Sequence, residues 1–536
     1  MTELPHVTAQ QIAAAKLRIV LDRKLGLHTP ELVQRIAEMA NPGILPASAV
    51  ETRAQQGRFA DAETSDPSTG TPPPTTPASL PRDRSTKGRL FGTSGIQGLA
   101  NAEMSPALAM SLASAAADVI RQRTTTDRVV AVVGVEPGEA GEMLEAAVVA
   151  GLASAGADVH RCGSSTIPSL VYQVVQSGAD LGVMISVPRG QVGQVKISFF
   201  GADGYVLPVA IENEIEVALA AASFAGAASR SIGRVNDSRD AGDGYVAHLL
   251  TSVPRPLDGL RVVLDCPAGA VVTFASDVYR RAGVDLAAVQ TAQREDDESV
   301  SLRRLRDAVR DRKADLGITH DSEGRRCLFV DGNGEIVDGD QITAVLALAL
   351  ADAGKLANDT VVTTVMSNLG LHLAMRAHGV TVVTTAVGER HVMQELRAGK
   401  YSLGGAPFGA IVLPDHSTTS DGLLTALLLM SRVVSTGRSL AELASVMHRL
   451  PQVLVNVPVH DKTAIVNSAE VRDAVEKTNL ELGDHGRVLI RPSGAEQLVR
   501  VMVEAAEEGT AQTAAERLAA VISSAPESPK QEHPAT

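Results

Sequence analysis

Three segments of this chain repeat one another in kind, and that repetition limits the possible folds more than any other feature. Arg128–Val133 leads through a turn and a helix to "SAGADV", Arg261–Cys266 leads likewise to "RRAGVDL", and Val361–Met366 to "RAHGVTVV". Each unit reads as a valine-rich strand, a turn containing Gly or Asn, a helix, and a Gly-broken turn into another strand. Each then runs on into one more strand that ends in a loop: "GADLGVMIS" before Val187, "KADLGITHD" at Asp321 and "YSLGG" at Gly404. Such alternation predicts α/β sheets flanked by helices. Ligands in these sheets bind beyond the carboxyl ends of the strands, so the three loops are the expected site. The stretch from Pro451 to Ile522 breaks the pattern, with "QVLVNVPV", a charged helix, "GRVLIRPSG", "LVRVMVEA" and a closing helix. It predicts a smaller α+β unit.

The start of the chain is compositionally separate. Thr8 and Gln11 form a capping box, Ile12, Ala15 and Ile19 follow at helical spacing, and Gly26 ends the run. Thr29-Pro30 opens a second helix to about Ala40, giving a short helical hairpin within an N-terminal extension, 1–60. From Asp61 to Lys87, six prolines and ten Ser/Thr predict an unfolded tether. Two readings stay open: a module that docks a protein partner through residues 1–45, or an extension packed on its own body.

Composition narrows the function. A length of 536 residues suits about three to four domains. Net charge of −13 disfavours broad nucleic-acid binding, and 8 Phe, 5 Tyr and no Trp leave little for stacking on bases. Cys162, Cys266 and Cys327 are odd in number and far apart, which fits a reducing compartment. Met1 to Gly26 carries no apolar block of the signal-peptide kind, and the most apolar runs, Ala344–Ala351 and Leu423–Met430, are too short to span a bilayer. The expectation is a cytoplasmic protein with neither nucleic-acid nor membrane partners.

"RLFGTSGIQG" at Arg89–Gly98, "VMSNLGL" at Val365–Leu371, "VGERH" at Val387–His391, "TTSDGLLTALLL" at Thr418–Leu429 and "GRVLIRPSGAEQLVRVMVEA" at Gly486–Ala505 occur in one order over Arg89 to Ile522. Together they resemble the α-D-phosphohexomutase family, and within it the bacterial phosphoglucosamine mutase branch. The resemblance implies a four-domain phosphohexomutase fold, three related α/β domains plus a smaller α+β C-terminal domain, around a cleft. Expected spans are 88–250, 251–352, 353–445 and 446–525, with a tail at 526–536. It also implies transfer of a phosphate between two sugar hydroxyls by a phosphoserine, with Mg²⁺ as cofactor and a phosphorylated sugar as ligand.

Residue by residue, the implied site is altered. The family's Ser/Thr-Ala-Ser-His-Asn-Pro aligns with Ser186-Val187-Pro188-Arg189-Gly190-Gln191, so the phosphoserine position is Pro188 and Ser186 is the one hydroxyl candidate. The lysine that usually follows aligns with Ser198, with Lys196 two residues away. The three metal-binding aspartates become Asp321, Glu323 and Arg325, a cation where the third ligand belongs. Arg325 reads either as an internal substitute for Mg²⁺ or as a solvated charge. The sugar loop becomes Gly405-Ala406-Pro407-Phe408-Gly409-Ala410, with both glycines kept and the polar side chains gone. Two arginines are lost at Gly134-Val135-Glu136-Pro137-Gly138, and Gln97 replaces another. The phosphate loop of the last domain keeps Arg491, Ser493, Gly494 and Glu496, with Arg500 beyond, and changes only at Ala495 and Gln497. The expected function is therefore a phosphoglucosamine-mutase-like pseudoenzyme or regulator that has lost mutase activity and keeps phosphate, sugar-phosphate or partner binding. The alternatives are an active mutase using a displaced residue, a scaffold acting through the N-terminal module, and a changed reaction on a sugar phosphate.

Overall fold

The computed structural model describes residues 89–525 except 127, 189–192, 222–230, 239–240, 268, 293–297 and 494–495. The helical hairpin, the tether, the tail and Arg189, Gly190, Gln191, Gly494 and Ala495 lie outside the described residues.

The repeat seen in the sequence becomes a repeat of topology. The first sheet contains β1 (Ile96–Leu99), β2 (Val130–Val135), β3 (Asp158–Ser164), β4 (Leu181–Ser186), β5 (Gln194–Gly201) and β6 (Val235–Asp237), in the order β1-β5-β4-β2-β3-β6. The second contains β7 (Arg261–Pro267), β8 (Asp285–Ala292), β9 (Leu316–His320), β10 (Cys327–Asp331) and β11 (Ile336–Val337), ordered β11-β10-β9-β7-β8. The third has β12 (Thr360–Thr364), β13 (Thr381–Thr385), β14 (Gly404–Gly405) and β15 (Ile411–Val412), ordered β13-β12-β14-β15. In each unit the first strand lies between the second and third, all parallel, and a fourth strand pairs antiparallel with the third. The three loops picked out in the sequence are the hairpins between third and fourth strands. The chain therefore has three related α/β sheets, as expected. A smaller antiparallel sheet follows, with β16 (Gln452–Pro458), β17 (Arg487–Pro492) and β18 (Leu498–Glu504) in the order β16-β18-β17.

Local chemistry explains the elements. All six residues of β4 are buried, as a strand covered by helices on both faces requires. Helix starts are capped by short polar side chains. Ser105 accepts from the Leu108 amide ahead of Pro106–Arg121, and Thr166 and Asp338 form capping boxes ahead of Ile167–Ser177 and Gly339–Asp352. The second and third sheets share one continuous apolar core that includes Tyr245, Tyr279, Phe329, Leu346, Leu371 and Leu427. The first and fourth sheets have separate cores. Among the described residues no helix is long and apolar enough to cross a membrane.

The fourth sheet joins the rest through buried polar groups. Glu504 accepts from Arg487 Nε (2.7 Å), the Leu369 amide (2.9 Å) and Asn368 Nδ2 (3.2 Å). Beside it, Asp340 takes the Asn368 amide at 2.7 Å through one oxygen, while Oδ1 has no partner. Burial pushes the Asp340 carboxyl up to about 7, with Asp338 and Glu504 adding to the rise. The neutral acid is the form that suits the fold, so its stability contribution is full below the ordinary aspartate range and is lost as pH rises to about 7. Asp340→Asn is expected to raise the unfolding temperature at pH 8 by several degrees, on the order of 2–4 kcal/mol. Near pH 4 the gain should disappear; differential scanning calorimetry at both pH values checks it.

Candidate active-site cleft

The nucleophile-position and metal-position hairpins meet at one buried carboxylate. Glu323 accepts from Ser186 Oγ at 2.8 Å, is in contact with Lys196 Nζ, and lies 3.6 Å from Arg325 Nη1. Burial alone would raise the Glu323 carboxyl, but Lys196, Arg325 and the Ser186 hydroxyl outweigh it and hold it at about 2. Ser186 and Lys196 are directly opposed on β4 and β5, which explains why both reach the same oxygen. Ser198, where the family's lysine aligns, instead donates to the Ser94 carbonyl at 2.7 Å.

Arg325 extends the network into the third domain. Its guanidinium contacts Glu389 and donates through Nε to Ser420 Oγ at 3.3 Å. Glu389 also accepts from Thr419 Oγ1 (2.9 Å), the Ser420 amide (2.9 Å) and Ser420 Oγ (3.0 Å). Arg325 is thus a partly buried cation paired with Glu323 and Glu389 rather than one facing open solvent. Lys196, Glu389 and Ser420 were not singled out from the sequence as site residues. Glu389 and Ser420 stand inside the stretches "VGERH" and "TTSDG", where they read as family markers.

Asp321 does different work. Its Oδ1 accepts the Arg325 and Arg326 amides at 2.8 and 3.0 Å, which shapes the hairpin. Gly324 has φ +71°, and a side chain there would press on Thr166, so only glycine lets this turn lie against the first domain. Fully buried His320 accepts from the Tyr279 hydroxyl at Nε2 (2.7 Å) and donates from Nδ1 to the Arg326 carbonyl (3.0 Å). Burial lowers its pKa to about 4, so it stays neutral in this role. Glu136, where the family has a lost arginine segment, is buried and accepts the Val187 amide at 2.9 Å. Ser322 Oγ donates to the Val187 carbonyl at 3.2 Å. Val187 is therefore held by Glu136, just beyond β2 of its own domain, and by Ser322 of the metal-position hairpin.

These residues do not fit Mg²⁺. Asp321 Oδ1 is committed to two amides, Glu323 to two cations and a hydroxyl, and the third position is itself a cation. Among the described residues no group of three His, Cys, Asp or Glu is arranged to hold a metal ion.

The sugar-position hairpin keeps its turn. Ala406 and Ala410 close it by a 3.0 Å backbone hydrogen bond, and Gly409, at φ +86°, packs so closely on the Cys327 carbonyl that a Cβ would clash. Ala406 and Ala410 are buried, and Phe408 lies under the Arg326 guanidinium, 5.1 Å from its ring centre. In the fourth sheet Arg491 is opposite Arg500, and Arg500 opposite Asn456. Ser493 is buried, and its Oγ accepts the Glu496 amide at 3.3 Å. Glu496 pairs with Arg500 at 3.3 Å.

Models of three domains match the chain: phosphoglucomutase/phosphomannomutase alpha/beta/alpha domain I over residues 88–226, domain III over 338–450 and the C-terminal domain over 454–521. The phosphoglucosamine mutase of Saccharopolyspora erythraea is 56% identical over 441 residues, 81% of this chain and 99% of the relative. Among solved structures, a phosphoglucomutase/phosphomannomutase family protein from Burkholderia thailandensis has a TM-score of 0.70 at 18% identity, covering 83% of this chain and 99% of that one. Aspergillus fumigatus N-acetylphosphoglucosamine mutase, solved in complex with GlcNAc-6P and magnesium, has a TM-score of 0.56 at 14% identity, covering 82% of this chain and 96% of that one.

Removing the Arg325 guanidinium leaves Glu323 and Glu389 without a shared cation. Arg325→Ala is expected to cost about 3–5 kcal/mol, as loss of one partner of a buried pair does. Millimolar Mg²⁺ should leave the wild-type unfolding temperature unchanged and recover part of the loss in Arg325→Ala. Thermal unfolding with and without Mg²⁺ decides it; a Mg²⁺ response of the wild type contradicts the assignment.

Proposed function

The chain belongs to the phosphoglucomutase/phosphomannomutase, or α-D-phosphohexomutase, family, and on that premise we propose that it binds a phosphorylated sugar or similar anion without transferring the phosphate. One observation carries this reading. The family's phosphoserine position is Pro188, and the hydroxyl two residues before it, Ser186 Oγ, is fully buried and donates to Glu323. A nucleophilic oxygen needs open access to phosphorus. A phosphate placed on Ser186 would also stand against the Glu323 carboxylate, like charge on like charge. The cations that would offset a transferring phosphoryl group are already held by Glu323 and Glu389.

Anion binding rests on the fourth sheet. Arg491 and Arg500 are cross-strand neighbours, an arrangement of like charges that is unfavourable until an anion lies between them. Arg500 Nε is buried without a hydrogen-bond partner. Arg491, Ser493, Gly494 and Arg500 are the proposed ligands. The sugar itself gains little: each hydroxyl that meets Ala406 or Ala410 instead of a polar side chain forgoes about 1–3 kcal/mol. Affinity is thereby carried by the phosphate and is independent of Mg²⁺. The three unpaired cysteines fit a reducing, cytoplasmic setting.

Pure protein is expected to give no turnover of glucosamine 6-phosphate, with or without Mg²⁺. Phosphosugars should raise its unfolding temperature independently of metal, and Arg491→Gln should remove that response. Turnover that Ser186→Ala abolishes, or one stoichiometric phosphate on the 186–198 hairpin by intact mass, would establish an active mutase with a displaced nucleophile instead.

A further inference from the structure

The helix Glu389–Gly399 of the third domain faces two other domains at once. Successive side chains on a helix point about 100° apart, so neighbours in its first turn reach different places. Glu389 meets Arg325 of the second domain, whereas Arg390 meets Glu212 of the first. Glu212 lies on the helix Val209–Ala220 and is 1% exposed. It accepts from both Arg390 amino groups, at 2.5 and 3.4 Å, and from Arg89 Nη2 at 3.2 Å. Arg397 stands two helical turns after Arg390, hence on the same side. Its guanidinium lies 4.2 Å from the Tyr205 ring centre and 3.5 Å from Asp203. Tyr205 in turn packs on the cluster that contains Val392, Met393 and Leu396. Gly204, at φ +76°, comes so close to Thr418 that a Cβ would meet its hydroxyl. The segment 203–212 of the first domain is therefore seated against the third.

The charges are distributed so that this contact is reversible. If the first domain moved away as a body, Glu212 would keep Arg89 and Glu323 would keep Arg325, each from its own domain. The Arg325–Glu389 pair would stay, since it joins the second and third domains. Asp203 and Arg397 are half-exposed already. Arg390 and Lys196 would exchange a carboxylate for water. No buried carboxylate is left without a cation, which is the outcome that makes breaking a buried pair costly. The apolar cores divide in the same place: the first sheet has its own, while the second and third share one. Domains joined mainly by polar contacts move relative to one another. We propose that the first domain is a lid on the cleft, latched to the third by Glu212 and Arg390, and that its release opens the Glu323–Arg325–Glu389 network to ligand. The latch holds whatever the ligand is and does not depend on anion binding in the fourth sheet.

Pulsed electron paramagnetic resonance on the full chain tests it. Spin labels are placed at the exposed positions Val217→Cys in the first domain and Ser435→Cys in the third. The background is Cys162→Ser, since Cys266 and Cys327 are buried. Without further change, the labelled chain should sit mainly at one distance. Arg390→Met should shift the population to a longer one, because it removes the third domain's cation and leaves Glu212 paired with Arg89. Glu212→Gln should do the same from the other side, which keeps the test decisive when one of the two variants fails to fold. Arg123→Met removes the exposed Arg123–Glu214 pair within the first domain and should leave the distance unchanged. The same distance distribution with and without the Arg390→Met and Glu212→Gln changes overturns the proposal. A shift in Arg123→Met equal to that in Arg390→Met also overturns it, because the longer distance would then report a loosened first domain rather than a released latch.

Discussion

Glu323 is a carboxylate withdrawn from water at the meeting point of two hairpins, and a buried charge of that kind costs several kcal/mol unless opposite charge comes with it. Lys196 arrives from β5, Arg325 from the same hairpin, and the Ser186 hydroxyl from the end of β4. Arg325 in turn satisfies Glu389 of the third domain. Three domains are thus held to one another by groups whose charges cancel only when all are in place. A divalent ion would cancel the same carboxylates through exchangeable contacts and could also polarise a substrate oxygen. Covalently anchored cations neutralise the cleft but are already engaged. The groups at the nucleophile and metal positions and the contacts that join the three domains are therefore one set of interactions.

The architecture was legible in the sequence because its signals are local. A run such as "VVAVVGV", a glycine turn and a helix can be read within a few residues, and three copies of that pattern implied three related sheets. The hairpins after β4, β9 and β14 were found for the same reason, each at the end of an apolar run that began with a turn. Charge pairing was not legible, because it links residues far apart in the chain. Lys196 is the clearest case. Positions 196 and 198 lie on the same face of β5, since side chains alternate, and a shift of two residues moves a side chain about 6.6 Å along that face. By alignment the family's lysine is missing; in three dimensions a lysine on that face meets Glu323. Arg325 was noticed as an intruder in a metal-binding pattern, but its partner Glu389 carries no sequence sign of being near it.

Packing sets the fourth domain apart from the other three. The second and third sheets share a core and cannot alter independently, and the charge network binds the first to both. The fourth sheet has its own core and touches the rest through Glu504, Arg487 and Asn368. The row Asn456–Arg500–Arg491, proposed above to bind an anion, is set by strand register. The salt bridges of the cleft, among Lys196, Glu323, Arg325 and Glu389, therefore do not involve that row.

The same separation bears on ligand choice. A mutase has to hold its substrate with either end toward the nucleophile, so it needs polar contacts to the sugar as well as to the phosphate. Here the sugar-position turn is closed by Ala406, Gly409 and Ala410, with Phe408 and Arg326 stacked over its rim. That turn offers no polar side chain to a sugar hydroxyl, whereas the fourth sheet sets two guanidiniums, Arg491 and Arg500, opposite each other. On the proposed reading, recognition rests on the charge of a phosphate more than on the orientation of a sugar. On that reading, such a site would respond to a phosphorylated ligand without the positional control that transfer chemistry demands.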